Sequence, residues 1–448
     1  MMSFKVLFAA ALLVPAGAAT ALGAWTTSEQ ASVGPLPARA PRIAVNARGD
    51  AAAIWVRGTR RDAAVVASTR PAGGAWSAPI AISRRGRPAA DPEVAIDAQG
   101  LVVVVWRQVV RTRTLRVGGV RRHQAVYVAR ARERLIADAR WSAITTLSSE
   151  RQKVGPPQLA ISDAGGAVAT WHWGTGTSPT DRGYVGQVQF VERRTDGTWS
   201  GPRRLSRSTL CAQVRLPRVA VGPLGHTVIW WQCDLPADRS TALAVSRRPG
   251  EAFGGEVELP FRTDGDVTAD LALSGDGRAV AVSADGDGAL QWWRGDVTPA
   301  LALARLPLLD ADRVDPDTGA PVIAVNRAGD ALSGWIDQAG RPRAAPIAAD
   351  LGVGSPSTLG PAGGTSALNV AVGDGRTGVV AWIASGRVLA STRGADGSVG
   401  TAQTVSGSGV EVLDPPAVGL DAAGDATLLW TRVLSGRPVI ERATSTTP

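Results

Sequence analysis

The chain is poor in the side chains that most often do chemistry. Its 448 residues include three histidines, two cysteines, two tyrosines, two methionines and five phenylalanines. Lysine is nearly absent, with Lys5 and Lys153 the only two. His123, His172 and His226 lie far apart, and no His/Cys/Asp spacing matches a zinc motif, so no catalytic histidine is assigned. Beyond the N-terminus no apolar run is long enough to cross a bilayer. No extended 3.6-residue apolar period appears either, which argues against a helical protein. The chain is instead rich in glycine (52), proline (29), tryptophan (15) and arginine, with a formal net charge of +9. That is the composition of many short strands joined by tight turns.

One pattern recurs eight times. Its cleanest copy is Pro92–Trp106, PEVAIDAQGLVVVVW. A short apolar run enters an Asp/Asn-x-x-Gly turn, and a second apolar run ends on tryptophan, which reads as a β-hairpin. The copies begin at 41, 92, 157, 217, 269, 321, 368 and 416, so successive steps run from 47 to 65 residues. A small residue stands at the fourth position throughout: Ala44, Ala95, Ala160, Ala220, Ala272, Ala324, Ala371 and Gly419. This implies crowding where inner strands converge on an axis. The tryptophans are Trp55, Trp106, Trp171, Trp231, Trp335, Trp382 and Trp430, with Ser283 replacing the one due in the fifth copy. The seventh copy has its glycine, Gly375, one place early. A second strand such as Val102–Val105 is apolar at consecutive positions, as if buried on both faces.

Two weaker strands follow each hairpin, so the fixed period fits a four-stranded propeller blade. The expected fold is all-β: an eight-bladed β-propeller of antiparallel four-stranded blades. The eighth copy runs out of chain after three strands. An orphan fourth strand, Trp25–Ser32 (WTTSEQAS), precedes the first copy and resembles Trp76–Ser83 (WSAPIAIS). The N-terminal strand is therefore expected to complete the last blade, which removes the exposed edges of an open array. First-to-second and third-to-fourth turns lie on one face and are short. The longer second-to-third loops and the links between blades share the other face, where insertions in repeat proteins often carry binding.

Residues 1–24 read as a secretory signal: Lys5, the apolar run Val6–Val14 and the small-residue site Pro15-Ala16-Gly17-Ala18. Retention as an anchor is the alternative. Residues 25–448 form the single propeller domain, with no transmembrane span, and the chain is expected to be secreted or held at the cell surface. An exported chain meets an oxidising compartment. Cys211, in the link before blade 4, and Cys233, just past Trp231, sit at adjoining strand ends and are expected to form a disulfide.

Three clusters are candidates for function. The longest loop, RQVVRTRTLRVGGVRRH, carries Arg107, Arg111, Arg113, Arg116, Arg121 and Arg122 without an acid. Arginine forks suit carboxylate and phosphate, so this reads as an anion-binding lobe, or else as a solvated hairpin extension. In blade 3, His172, Trp173 and Tyr184 offer a stacking platform, or ordinary packing. Asp285 and Asp287, then Asp310, Asp312, Asp315 and Asp317, have the oxygen ligands and short spacing that Ca²⁺ uses, but not the EF-hand order; Asp-Gly and Asp-Pro are also plain turn chemistry. No cofactor is otherwise implied.

The repeat resembles those of secreted bacterial β-propellers in the broad sialidase-like, BNR-repeat group. The resemblance implies the fold and departs elsewhere. In the Asp-box of that group tryptophan stands three residues past the glycine, whereas Trp55 stands six past Gly49. Phe261-Arg262-Thr263-Asp264 is not the Phe-Arg-Ile-Pro segment of sialidases, and Tyr127 and Tyr184, the only tyrosines, are assigned to third strands. No catalytic residue carries over. The reading is a non-enzymatic binding platform on the long-loop face of blades 2–4. Its partner would be an anionic polysaccharide, an envelope polymer or a protein, and not a specific nucleic acid. The alternatives are a sialidase-like glycoside-active enzyme and a surface spacer without a ligand.

Overall fold

The computed structural model describes residues 24–446 except 60, 118–119, 139, 150–152, 175–185, 207–210, 237–238, 264–265, 308–312, 315–319, 351 and 408–410. Within strands, the side chains of 115–117, 122, 153 and 262–263 are also outside this set. The expected leader, Tyr184, Asp310, Asp312, Asp315, Asp317 and the side chains of Arg116 and Arg122 therefore lie outside the described residues.

The protein is an eight-bladed β-propeller of antiparallel four-stranded sheets, with no helix among the described residues. Among the described residues no helix is long and apolar enough to cross a membrane. Blade 1 runs outward through Ala38–Val45, Ala51–Arg57, Ala64–Arg70 and Ile80–Ala81, and the other blades repeat this order. Blade 8 has Ala417–Leu420, Ala426–Leu434 and Arg437–Ser445 in the C-terminal chain, and Glu29–Gln30 supplies its outer strand. Glu29 pairs with Arg442 and Gln30 with Glu441, so the ring closes as the sequence implies.

A serine follows the outer strand in five blades, the closing strand of blade 8 among them. Its hydroxyl accepts a third-strand amide: Val65 N to Ser83 at 3.0 Å, Ala129 N to Ser148 at 2.9 Å, Val188 N to Ser206 at 3.0 Å and Val388 N to Ser406 at 3.0 Å. Ile440 N donates to Ser32 Oγ at the same 3.0 Å, across 408 residues of chain.

The repeat residues pack as their spacing implies. Trp55, Trp106, Trp171, Trp231, Trp335, Trp382 and Trp430 are each at most 1% exposed and fill the seams between neighbouring blades. Val102–Val105 are wholly buried. A Cβ on Gly419 would stand 2.4 Å from Val45 Cγ2 of the next blade, which is the crowding inferred at that position. The turn glycines from Gly49 to Gly424 hold φ between 80° and 98°. In blade 7, where the glycine is early, Arg376 takes the left-handed conformation instead, at φ 61°. The prolines that begin several copies mark bulges: Ala40, Asp91 and Leu216, just before Pro41, Pro92 and Pro217, have positive φ where the ladder shifts register. A bulge is where a strand tolerates proline.

The missing tryptophan of the fifth copy is made good from the neighbouring strand. Trp293 swings into the blade 4–5 seam beside Trp230 and Phe261, and its Nε1 donates to Ser283 Oγ at 2.9 Å. The serine at the vacant position is thus the hydrogen-bond partner of the replacement ring.

Candidate functional site

The inner strands carry one residue per blade at a common register, directly after the residue that begins each copy, although in blades 6 and 8 it packs into the apolar seam. Reading down the copies gives Arg42, Glu93, Gln158, Arg218, Asp270, Val322, Asn369 and Ala417. Arg42 Nε pairs with Glu93 across the blade 1–2 boundary at 3.2 Å. Asp270 accepts Leu271 N at 3.0 Å and Ile323 N of blade 6 at 3.1 Å. Arg218 bears electrostatically on both Glu93 and Asp270, from blade 4 towards blades 2 and 5. Burial pushes both carboxyls up from their ordinary range, against the pull of these arginines. This axial ring was legible as a column in the repeat alignment, but each member alone looks like an unremarkable strand residue.

The channel is bolted at its short-turn mouth. Arg327 of blade 6 reaches across the axis to form an ion pair with Asp163 of blade 3. Adjacent turns are stitched into a belt, with Asn46 Nδ2 donating to Asp97 O at 3.0 Å and Asn326 Nδ2 to Gly373 O at 3.2 Å.

On the opposite face, the segment read as a long loop is a continuous hairpin. Leu101–Val117 pairs with Val120–Leu135 up to the Val117–Val120 pair that flanks Gly118-Gly119. Alternating threonine, valine and arginine favour such an extension. The register separates the arginines. Arg111 and Arg113 fall on one face, opposite Val126 and Gln124, while Arg121 is in register with Arg116 in the alternate set. Arg107 is engaged at the base, ion-paired with Asp91 and stacked 4.5 Å over the Tyr127 ring.

A basic pocket lies at that base, between blades 1 and 2. It encloses about 190 Å³ and is lined by Arg84, Arg87, Gln108, Val109, Val110 and Arg130. Gln108 is 1% exposed, and its Nε2 donates to both Arg84 O and Arg87 O at 3.0 Å. The buried amide thus pins the turn that carries two of the arginines. Arg87 Nη1 also holds Val110 O at 3.0 Å, and Arg130 donates to Thr146. Among the described residues three arginines line the pocket and no Asp or Glu does. Sequence reading passed over Arg84 and Arg87 because the link that carries them is short.

The remaining candidates are dispersed. In blade 3, Trp173 packs against the blade 2–3 seam. Burial pushes the His172 pKa down to about 4, leaving a neutral imidazole at pH 7. A Cβ on Gly186 would lie 3.0 Å from His172 Nε2, so glycine makes room for the ring. Asp285 caps its own turn, accepting Asp287 N at 3.1 Å and Ala289 N at 2.8 Å. Among the described residues no group of three His, Cys, Asp or Glu is placed to hold a metal ion. Cys211 and Cys233 form the expected disulfide, with Cα atoms 5.1 Å apart.

No protein-family model matches the chain, and no curated protein is similar to it in sequence. Solved structures match its fold. The BP39L lectin of Burkholderia pseudomallei gives a TM-score of 0.52 at 12% identity, covering 82% of this chain and 100% of the lectin chain. A puromycin hydrolase gives 0.50 at 16%, covering 92% and 61%. Trypanosoma rangeli sialidase gives 0.44 at 10%, covering 84% and 56%. At these identities the likeness, including that to sialidases, is one of fold.

Proposed function

We propose that the protein is an exported, non-enzymatic propeller that binds an anionic polymer, a polysaccharide or another component of the cell envelope, on its long-loop face. The observation that carries this reading is the arginine pocket between blades 1 and 2, where buried Gln108 pins the backbone of the turn that carries Arg84 and Arg87 and Val110 O holds the Arg87 guanidinium. Pre-positioning lowers the ordering cost that surface arginines otherwise incur on binding. Guanidinium forks match carboxylate and sulfate oxygens in pairs. The hairpin beyond, with Arg111, Arg113 and Arg121, would extend the contact along a polymer. The test is retention on a heparin column under a salt gradient. The double variant Arg84→Ser/Arg87→Ser and a variant with 111–122 replaced by a Gly/Ser turn should both elute earlier than wild type. Co-elution of all three would leave only net charge and refute the site.

The axial ring favours one second reading. Two carboxyls raised by burial in a single channel are what a glycoside-active enzyme would need. In that reading Glu93→Gln and Asp270→Asn abolish turnover of chromogenic glycosides; a wild type with no turnover on an acidic and neutral glycoside panel removes it.

A further inference from the structure

Five of the eight blades carry an aromatic residue ahead of the outer strand, and blades 5, 6 and 7 do not. Counting back seven residues from the serine that follows this strand gives Trp25, Trp76, Trp141 and Trp199, with Phe253 at the matching place in blade 4. Each ring packs into the seam with the preceding blade. In three of these blades an arginine six residues earlier ends the third strand. Arg70 stands 5.3 Å over the Trp76 ring and Arg247 4.5 Å over the Phe253 ring. Arg193 forms a bridge with Trp199, whose Nε1 donates to Glu133 of blade 2.

Blade 7 keeps the arginine and loses the ring. Arg393 forms the same isolated bridge, but with Val399, which is 41% exposed. The space left over is open. A cavity of about 80 Å³ is lined by Leu332, Ala344 and Pro346 of blade 6 and by Val380, Arg393 and Val399 of blade 7. It shares Arg393 with an adjoining hollow of about 350 Å³ that also meets Asp330, Arg376 and Asp396. Arg393 Nη1 is tied to Arg376 O at 2.8 Å, which holds the guanidinium at the boundary of the two spaces. Its Nε is buried and makes no hydrogen bond. Blade 5 also has an arginine without a ring, but Arg294 there donates to Ala348 O across the seam.

We propose that this pocket binds the planar aromatic ring of a small molecule, seated where other blades hold tryptophan or phenylalanine and stacked on the Arg393 guanidinium. The inner cavity of about 80 Å³ is too small for a ring by itself, but it adjoins the hollow of about 350 Å³ through Pro346 and Arg393, and the two together accommodate a ring and a polar remainder. Cation–π stacking adds to apolar burial, so an aromatic ring is preferred over a saturated one of equal size. The site lies on the short-turn face, away from the arginine pocket.

The experiment is ligand-observed NMR and calorimetry on the whole chain, with indole as probe and cyclohexanol as the saturated control. Indole should bind wild type at millimolar strength and cyclohexanol several-fold more weakly. Val399→Trp refills the position, so it should raise Tm and weaken indole at least tenfold. Arg393→Met should weaken indole several-fold. If Val399→Trp melts below wild type, Val399→Phe serves in its place with the same expectation. Equal binding of indole and cyclohexanol, indole binding unchanged by filling the pocket, or binding of a tryptophan-containing peptide but not of free indole would each overturn the proposal.

Discussion

Ser32→Ala tests ring closure with one atom. The hydroxyl accepts Ile440 N at 3.0 Å, and both Ser32 and Ile440 are buried, at 4% and 0% exposure. Removing it strands a buried amide, which costs about 1–3 kcal/mol. The same change at Ser83 strands Val65 N in blade 1, where all four strands are contiguous, and provides an internal standard. The closing strand is held besides by Ala31 N to Ile440 O at 2.8 Å, Thr26 N to Thr444 O at 2.8 Å and Thr444 N to Thr26 Oγ1 at 3.0 Å, so the fold survives. If residue 32 completes blade 8 as residue 83 completes blade 1, the two variants lose similar stability in urea titration with an unchanged m-value. Ser32→Ala indistinguishable from wild type, beside a destabilised Ser83→Ala, would refute closure by the N-terminal strand.

Other outcomes follow from the same geometry. Ser283→Ala leaves Trp293 Nε1 without its acceptor and should cost about 1–3 kcal/mol in denaturant titration, although it deletes only a hydroxyl. Gly419→Val forces side chains into Val45 and should destabilise by more than about 2 kcal/mol, or prevent soluble expression. His172, with a folded pKa of about 4 against about 6.5 unfolded, binds fewer protons when folded. Its contribution therefore falls as pH drops below about 6.5 and levels off near 4, and its NMR ring signals should not titrate between pH 6 and 8. Reducing the Cys211–Cys233 bond should lower stability by about 3 kcal/mol by the loop-entropy estimate, seen as an earlier urea midpoint with reductant that is absent in a double serine variant.

What the sequence revealed of this molecule was its periodic part. A hairpin turn, a buried tryptophan and a small axial residue recur because every blade meets the same neighbours, and eightfold repetition makes a weak local signal strong. The orphan strand at Trp25 was readable for the same reason. Departures from the period were harder to interpret. Ser283 looked like decay until Trp293 was seen to fill its seam. The glycine displaced to 375 gave no hint that Arg376 would adopt the left-handed turn. The candidate sites were less legible, because they depend on which side chains of separate blades converge. Arg84 and Arg87 gain meaning only through Gln108, more than twenty residues away. Runs of like charge were the visible signal, yet strand pairing distributes the hairpin arginines over two faces.

The proposed function rests on the pocket of Arg84, Arg87 and Arg130, and the most direct measurement is affinity for a soluble uronic-acid polymer as a function of salt. Wild type and Arg84→Ser/Arg87→Ser should be compared with a control of equal charge, Arg194→Ser/Arg305→Ser, at exposed positions in blades 3 and 5. The account predicts that the pocket variant binds at least tenfold more weakly and depends less steeply on salt, while the control stays close to wild type. Equal losses in both variants would mean that overall charge alone attracts the polymer, and would contradict a specific site between blades 1 and 2.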